Sequence, residues 1–162
     1  MLKDFCQKIS EIISNHSSKK YLLAVSGGVD SMVMMELFSQ AHLYFGVAHC
    51  NFQLRNNDSF LDQKLVEETS LSLKKEFHLE KFRTQEIASQ NGESIQITAR
   101  KLRYDWFSNL IDEYEYDYVV TAHHANDNLE TAIYKLAKGT GAKGVRGILP
   151  LQKRTLRPLL NF

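Results

Sequence analysis

The chain of 162 residues is 43% hydrophobic and carries a formal net charge of +1, as expected for one globular domain with a single core. No run of about 18 apolar residues occurs, so we expect no membrane-spanning helix, and the N-terminus shows no export signal. Cys6 and Cys50 form no CxxC pair, which argues against a disulfide framework, a zinc site or an iron–sulfur cluster and indicates a reducing, cytoplasmic setting.

The charges are unevenly distributed along the chain. The residues after Glu130 include seven of the 20 basic residues and none of the 19 acidic ones. A segment with one sign of charge favours contact with a polyanion, and Lys138, Lys143 and Arg146 are the candidate contacts. The alternative is a solvated tail whose bias has no function.

The first half of the chain predicts two helices and two strands. An amphipathic helix over Leu2–Ser14 precedes an apolar strand over Tyr21–Val25. Two glycines then lead into a helix through Met32–Leu37, and His42–His49 predicts a second buried strand. The segment Asn51–Asp58 is polar and typical of a loop.

The second half continues the alternation. Ser59 and Asp62 resemble a capping box that opens a helix toward Phe77, and a short strand is predicted over His78–Arg83. The remaining predicted elements are a helix over Ser94–Ile111, a strand over Tyr116–Thr121 and a helix over Asn126–Lys138. A glycine-rich irregular tail follows.

The helix over Ser94–Ile111 has the clearest apolar periodicity. Its predicted buried face consists of Ile95, Ala99, Leu102, Trp106 and Leu110. Arg100, Arg103 and Tyr104 lie off this stripe, and two guanidinium groups three residues apart can bind phosphates in bidentate fashion. The alternative is an ordinary solvated helix face.

Strands that alternate with helices predict an α/β fold. We expect a Rossmann-like parallel sheet of about five strands with helices on both faces, in a single domain over residues 1–162. Ligands of such sheets bind beyond the carboxyl ends of the strands. The segments SGGVDS, HCNFQLR and AHHANDNLET each follow a predicted strand, so we expect them to converge at one edge.

The loop Ser26–Ser31 is a candidate phosphate site. It joins a strand to a helix start, where free backbone N–H groups and the positive helix end favour an anion. Gly27 and Gly28 allow close approach of the main chain, and the serine hydroxyls are further candidate donors. The GxxxxGK pattern of phosphoryl-transferring loops is absent. Many strand–helix turns also need a glycine, so a purely structural role remains open.

Carboxylates near this loop suggest a divalent cation. Asp30 would repel a phosphate unless a metal lay between them, which indicates Mg²⁺. Asp127 and Glu130 share one helix face and would complete the site. All three could instead be first-turn acids that favour the helix dipole. His123 and His124 follow a strand and are candidates to line a nucleotide pocket, or are ordinary satisfied polar residues.

The hexapeptide SGGVDS after an apolar strand resembles the pyrophosphate loop of the N-type ATP pyrophosphatases. The resemblance implies that ATP binds here and that its β- and γ-phosphates leave together as pyrophosphate. It also implies the fold of the adenine nucleotide alpha-hydrolases. The ATP-binding residues it implies in the loop are Ser26, Gly27, Gly28, Val29, Asp30 and Ser31.

Six motifs in family order resemble the tRNA(Ile)-lysidine synthetases: SGGVDS, HCNFQLR, ARKLRY, AHHANDNLET, GTGAKGVRGI and LRPLL. This resemblance implies a cytoplasmic ATP- and Mg²⁺-dependent ligase. Its members join free L-lysine to the wobble cytidine of an isoleucine tRNA with a CAU anticodon. The cytidine is first adenylated, and AMP and pyrophosphate are released. A homodimer is possible.

The resemblance also implies roles for individual residues. The catalytic candidates are Asp30, Arg100, Arg103 and Asp127, and the metal candidates are Asp30, Asp127 and Glu130. Arg55 and His123 join the ATP-binding set, and Lys138, Lys143 and Arg146 become candidate RNA contacts. Family members continue into C-terminal tRNA-recognition domains, so we expect this chain to be the N-terminal ATP-pyrophosphatase domain alone, binding ATP–Mg²⁺ but modifying tRNA poorly.

Two alternative functions remain. A tRNA 2-thiocytidine synthetase-like thiolase shares the loop, but that family uses CxxC pairs for a cluster, and this sequence has none. A non-catalytic ATP-binding sensor of the same fold would not need a carboxylate cluster beside the phosphates.

Overall fold

The computed structural model describes residues 1–54, 56–127, 148–160 and 162. The helices are α1 (Leu2–Ile12), α2 (Val29–Gln40), α3 (Asn56–Ser72), α4 (Thr84–Asn91) and α5 (Ile95–Glu113), and residues 125–127 are also helical. A 3-10 turn over His16–Ser18 follows α1. The strands are β1 (Lys20–Ala24), β2 (Tyr44–Asn51), β3 (Phe77–Lys81), β4 (Tyr118–Thr121), β5 (Leu151–Gln152) and β6 (Thr155–Leu156).

The strands form one six-stranded sheet in the order β3-β2-β1-β4-β6-β5. All neighbours are parallel except β5 and β6, which are antiparallel. Ala24 pairs with Ala48 on β2 and with Thr121 on β4, so the loops after these strands leave from one edge. The predicted parallel α/β sheet is confirmed. The extra hairpin β5–β6 was not predicted, because strands of two residues are too short to produce a periodic pattern.

The sheet divides the core into two layers. Tyr21 and Leu23 of β1 pack with α1 and α2, whereas Leu22 between them packs with α5 on the other side. Successive residues of a strand point to opposite faces, so one apolar strand supplies both layers. The prediction of helices on both faces is therefore confirmed.

An aromatic cluster around Phe38 holds α2 against the sheet. The Phe38 ring meets Phe5, Tyr21 and Phe45 edge-on, with centroid separations of 5.3, 5.2 and 6.0 Å. Truncating a buried phenylalanine typically costs about 3–5 kcal/mol. Because Phe38 lies in the last turn of α2, the cluster also fixes the direction in which the first turn of this helix points.

The predicted loop Asn51–Asp58 is wrong in its second half. Asn51 ends β2, and α3 begins at Asn56, so Ser59 lies inside the helix and does not cap it. The Asn51 side-chain amide donates to Gln63 Oε1 on α3 at 3.0 Å. The polar residues of this segment thus bond one element to another, which sequence polarity alone does not distinguish from a loop.

The buried face of α5 is rotated from the predicted stripe. Ala99 and Leu110 are buried as predicted, but Ile95 is exposed and Phe107 is buried. Arg103 lies four residues after Ala99 and four before Phe107, which places it on the sheet-facing side and not off the stripe. The helix begins as predicted, with Ser94 Oγ accepting from Ile97 N at 3.3 Å.

Within the described residues, no helix is both long enough and apolar enough to cross a bilayer.

We predict that the free energy of unfolding decreases as the pH is lowered from about 7.5 to about 5.5. Burial lowers the pKa of His49, and burial likewise lowers the pKa of His78. The histidines of the unfolded chain have a pKa of about 6.5. Near and below this pH the unfolded chain therefore binds more protons than the folded chain, and acid favours unfolding. Urea unfolding at the two pH values should show a lower free energy of unfolding at the acidic one.

His49→Gln should reduce this pH dependence. The matched control is His42→Asn, because His42 is exposed and its positive φ of 53° is one that asparagine tolerates. Equal pH slopes for the wild type and His49→Gln would contradict the role of burial.

Candidate active site

A cleft of about 280 Å³ lies beyond the carboxyl ends of β1, β2 and β4. Its walls come from the loop after β1, the ends of β2 and β4, the segment through Asp127, and one side of α5. The three segments that were expected to converge thus meet at one edge, as far as the structure describes them. This edge is where open parallel sheets bind ligands.

The conformation of the loop Ser26–Ser31 is held by hydrogen bonds of its own serine hydroxyl groups. The Ser31 hydroxyl donates to the Gly28 carbonyl at 2.8 Å, and it accepts from Ser26 N at 3.2 Å. The Ser26 hydroxyl lies 3.2 Å from the Ser31 hydroxyl and accepts from Gly28 N at 3.3 Å. Since Ser31 has already used its only hydrogen, Ser26 must donate to Ser31. Both hydroxyl hydrogens therefore bond within the loop. Neither points into the cleft, which differs from the predicted role of these hydroxyls as donors to an anion.

Backbone groups remain for an anion. The first N–H groups of α2 have no partner within the helix, and they lie at its positive end. Gly28 has extended backbone at φ −70° and ψ 157°, and its carbonyl accepts from Met32 N at 3.1 Å. The loop thus presents the open start of α2 to the cleft, which is the geometry of a phosphate site.

Helix α3 closes over the loop at Gly27. Gly27 has a φ of +95°, and a Cβ there would lie 2.8 Å from Asp62 Cβ and 3.1 Å from Asp62 Cα. Both the dihedral angle and the neighbouring backbone therefore require glycine at this position. Gly28 differs, because its nearest neighbour to an added Cβ would be Ser26 Oγ at 3.5 Å.

His49 ties the loop to the next strand. It is buried, and its Nδ1 lies 2.8 Å from the Val25 carbonyl. A carbonyl only accepts, so the proton is on Nδ1. This hydrogen bond joins the end of β2 to the residue just before the loop.

Two predicted carboxylates meet at His124. His124 Nε2 lies 3.5 Å from Asp30 Oδ2, and His124 Nδ1 lies 3.6 Å from Asp127 Oδ2. Asp127 also accepts from the backbone N of His124 at 2.8 Å, while Asn126 N donates to His124 Nδ1 at 3.2 Å. An accepting Nδ1 leaves the proton on Nε2, the nitrogen that faces Asp30. Asp30 and Asp127 thus come from different elements but face one small region.

His123 lines the cleft beside them as a neutral base. Burial lowers its pKa, and the charges of Arg157, Arg100 and Arg103 lower it further against the opposing effect of Asp127. Its Nδ1 lies 2.8 Å from Thr121 Oγ1. At neutral pH the ring is therefore uncharged and oriented by Thr121.

Arg103 is the arginine of α5 that reaches the cleft. Its guanidinium lies 5.1 Å from the centroid of the Phe52 ring, which stacks on Phe82 at 5.4 Å. Arg100 does not line the cleft; it is exposed and lies over the Tyr104 ring at 5.0 Å. Tyr104 lines the cleft, so Arg100 is one side chain removed from it.

The floor of the cleft on the side of β2 and α5 is apolar. It consists of Ala24, Ala48, Cys50 and Phe107. Burial raises the pKa of the Cys50 thiol to about 12, so this cysteine stays protonated and unreactive. Small residues at the strand ends leave room for a flat ligand above the sheet.

Most of the predicted site residues that the structure describes are gathered here. Those that line the cleft are Ser26, Gly28, Asp30, Ser31, Arg103, His123 and Asp127. Gly27 shapes the loop from behind, and Val29 is mostly exposed. Arg55, Glu130, Lys138, Lys143 and Arg146 lie outside the described residues. The prediction missed Cys50, Phe52 and Phe107, whose apolar character gives no signal that separates a cleft floor from a core.

Comparison with known proteins agrees with this geometry. A model of the PP-loop domain family matches residues 1–162. The chain belongs to the PP-loop domain family. Membership implies ATP binding, and it fits a loop that offers backbone N–H groups at the start of a helix.

This PP-loop domain is also similar to parts of longer curated proteins. It is 43% identical over 145 residues to the tRNA(Ile)-lysidine synthase of Chlorobaculum tepidum, covering 87% of the chain and 44% of that protein. The enzyme of the same name from Petrotoga mobilis is 32% identical over 168 residues, covering 99% of the chain and 54% of the relative. The chain thus spans about half the length of these relatives or less.

Solved structures share the fold. The U34-tRNA thiolase NcsA from Methanococcus maripaludis superposes with a TM-score of 0.77 at 15% identity, over 99% of this chain and 59% of that one. The NH3-dependent NAD synthetase from Campylobacter jejuni gives a TM-score of 0.65 at 15% identity, over 99% and 66%.

We predict that Gly27→Ala destabilises the PP-loop domain by about 1–3 kcal/mol, since it combines a left-handed dihedral angle with overlap against α3. Gly28→Ala is the matched control and should cost less than about 1 kcal/mol, because its backbone is extended and its Cβ has room. Urea denaturation measures both. Equal losses for the two variants would show that α3 does not constrain the loop.

Proposed function

We propose that the cleft binds ATP with its outer phosphates at the loop Ser26–Ser31 and its base over the apolar floor. The observation that carries this proposal is the loop itself, whose hydroxyl hydrogens are used internally while the N–H groups of the helix start are open. The floor of Ala24, Ala48, Cys50 and Phe107 offers a purine an apolar surface on the β2 side. The phosphates then lie on the β1 side.

Mg²⁺ belongs to this proposal, with Asp30 and Asp127 as its protein ligands. The two carboxylates lie beside the His124 ring, at 3.5 Å from its Nε2 and 3.6 Å from its Nδ1, which brings both to the same end of the cleft. Among the described residues no group of three or more acidic, histidine or cysteine side chains is arranged to hold a metal. Mg²⁺ commonly takes one or two carboxylates and completes its shell with substrate phosphates and water, so two carboxylates fit. The bound ion would neutralise phosphate charge; Glu130 remains a proposed third ligand.

We infer that the reaction is the lysidine synthesis of the similar curated proteins. The 2-carbonyl oxygen of the wobble cytidine attacks the α-phosphate of ATP, and pyrophosphate leaves into the loop. The ε-amine of free L-lysine then attacks the adenylated carbon, and AMP leaves. The substrate would be an isoleucine tRNA with a CAU anticodon, in the cytoplasm.

The residues of the cleft suit the separate needs of that chemistry. The open N–H groups of α2 stabilise the charge that develops on the leaving pyrophosphate. Arg103, held over Phe52, provides a guanidinium for the α-phosphate. His123 is neutral and can accept a proton from the attacking amine. The catalytic role predicted for Arg100, the nucleotide role predicted for Arg55, and the RNA contacts of Lys138, Lys143 and Arg146 remain proposals, as do the homodimer and the division into a separate N-terminal domain.

The thiolase alternative is less favoured. A structural neighbour that is also a tRNA thiolase, the U34-tRNA thiolase NcsA, is described with its 4Fe-4S cluster. Here Cys6 packs with the core on one face of the sheet, and Cys50 packs with the core on the other. The two thiols cannot share one cluster, and the sequence contains no other cysteine.

We predict that Asp30→Asn strongly slows ATP cleavage, because the loop loses the carboxylate that would hold the cation. Full-length protein with ATP, Mg²⁺, the tRNA and lysine should release AMP and pyrophosphate, and the variant should be slower by about 100-fold or more. Glu36→Gln is the control, since it removes an equal charge from an exposed position of the same helix.

Two outcomes would contradict the proposal. Release of ADP in place of AMP would exclude adenylation. Unchanged turnover in Asp30→Asn would remove Asp30 from the metal site.

A further inference from the structure

Arg157 carries a buried guanidinium that has no counter-charge among the described residues. The side chain is only 7% exposed, and its Nε is buried without a hydrogen-bond partner. Nη1 donates to the Leu149 carbonyl at 2.9 Å. No carboxylate pairs with Arg157 among the described residues, whereas the neighbouring Arg154 pairs with Asp112 at 3.0 Å. Buried guanidinium groups are normally paired with an anion. The described surroundings of Arg157 supply none, so this side chain is a candidate to bind an anionic group of a ligand.

Arg157 lies at the same sheet edge as the cleft. It directly follows β6, which pairs in parallel with β4 so that Leu156 lies beside Val120. His123, which lines the cleft, follows β4 in the same way. Arg157 lowers the pKa of His123 in addition to the larger effect of burial, consistent with a charge close to that ring.

The strand order separates Arg157 from the proposed phosphate site. The loop follows β1, His123 follows β4, and Arg157 follows β6, in the spatial order β1-β4-β6. Neighbouring strands are about 4.8 Å apart, so the end of β6 lies roughly 10 Å across the sheet from the end of β1. An anion at Arg157 is therefore a different group from the pyrophosphate at the loop.

We propose that Arg157 binds the α-carboxylate of the amino-acid substrate. The inference rests on the proposed function, in which an amine must reach the reacting carbon near His123. A linear amino acid with its carboxylate beside β6 can extend its side-chain amine toward the end of β4. A guanidinium pairs well with the planar carboxylate, because its fork of N–H donors matches the two carboxylate oxygens.

Lysine and cadaverine test this assignment, because cadaverine is lysine without its carboxylate. The full-length protein is assayed for tRNA-dependent AMP release with each amine, as wild type, Arg157→Gln and Arg154→Gln. Arg157→Gln should raise the KM for lysine by roughly 10- to 100-fold, the effect of losing a hydrogen bond between charged groups, and leave the KM values for cadaverine and ATP unchanged. Arg154→Gln should change none of the three.

A second variant guards against loss of folding. If Arg157→Gln unfolds, Arg157→Lys retains the charge without the planar fork and should give an intermediate KM for lysine. Equal losses with lysine and cadaverine would mean that Arg157 is only structural. A raised KM for ATP with unchanged KM for lysine would assign the anion to a nucleotide phosphate. Both results overturn the proposal.

Lysine binding separates this inference from the proposed reaction. Calorimetric titration of L-lysine into the full-length protein with ATP should show weaker binding in Arg157→Gln than in Arg154→Gln. Wild-type protein that binds lysine in this Arg157-dependent way but modifies no tRNA would contradict the proposed function and support the carboxylate site. Lysine binding that is equal in the two variants would contradict the site, whatever the turnover.

Discussion

The parallel pairing of β1 with β4 is the contact on which the site depends. It places Ala24 beside Thr121, so the loop Ser26–Ser31 and the segment His123–Asp127 leave the sheet side by side although they are far apart in the sequence. Asp30 and Asp127 face each other across His124 only because of this register. A shift of one residue would turn every side chain of the strand to the opposite face and separate them.

The loop after β1 shows how a short segment can be rigid without help from a ligand. Its two serines use their hydroxyl hydrogens on each other and on the loop backbone, and α3 presses against Gly27. What remains for an anion is the main chain at the start of α2. Binding through backbone N–H groups needs no side chain to be ordered, so little conformational entropy is lost when a phosphate arrives.

The cleft is divided into two chemically different sides. Toward β2 and α5 the floor is apolar, with Ala48, Cys50 and Phe107, although Arg103 of α5 also lines the cleft; toward β4 the cleft is polar, with His123 and Asp127. A nucleotide base suits the first side, and the reacting groups of a second substrate suit the other. The loop at β1 lies between them, where the phosphates of a nucleotide must lie if the base is on one side and the acceptor on the other.

The amino-acid sequence determined the local chemistry. Apolar strands followed by glycine, and apolar spacing of 3–4 residues, follow from the periods of extended and helical backbone, so the α/β class and the strand edge that carries the site could be predicted. The six motifs likewise indicated the family. Local patterns could not determine the buried face of α5, because the polar Arg103 falls on the sheet-facing side beside Phe107 and interrupts the apolar stripe.

Only the tertiary structure decided the rest. The closure of Asp62 on Gly27 and the burial of Arg157 without a carboxylate partner among the described residues depend on how segments distant in the chain come together, and the internal use of both serine hydroxyls depends on the exact path of the loop. Hydrogen bonds and buried charges are set by distances of a few ångströms between such segments. The sequence determines which groups are available, and their partners are fixed only when the sheet assembles.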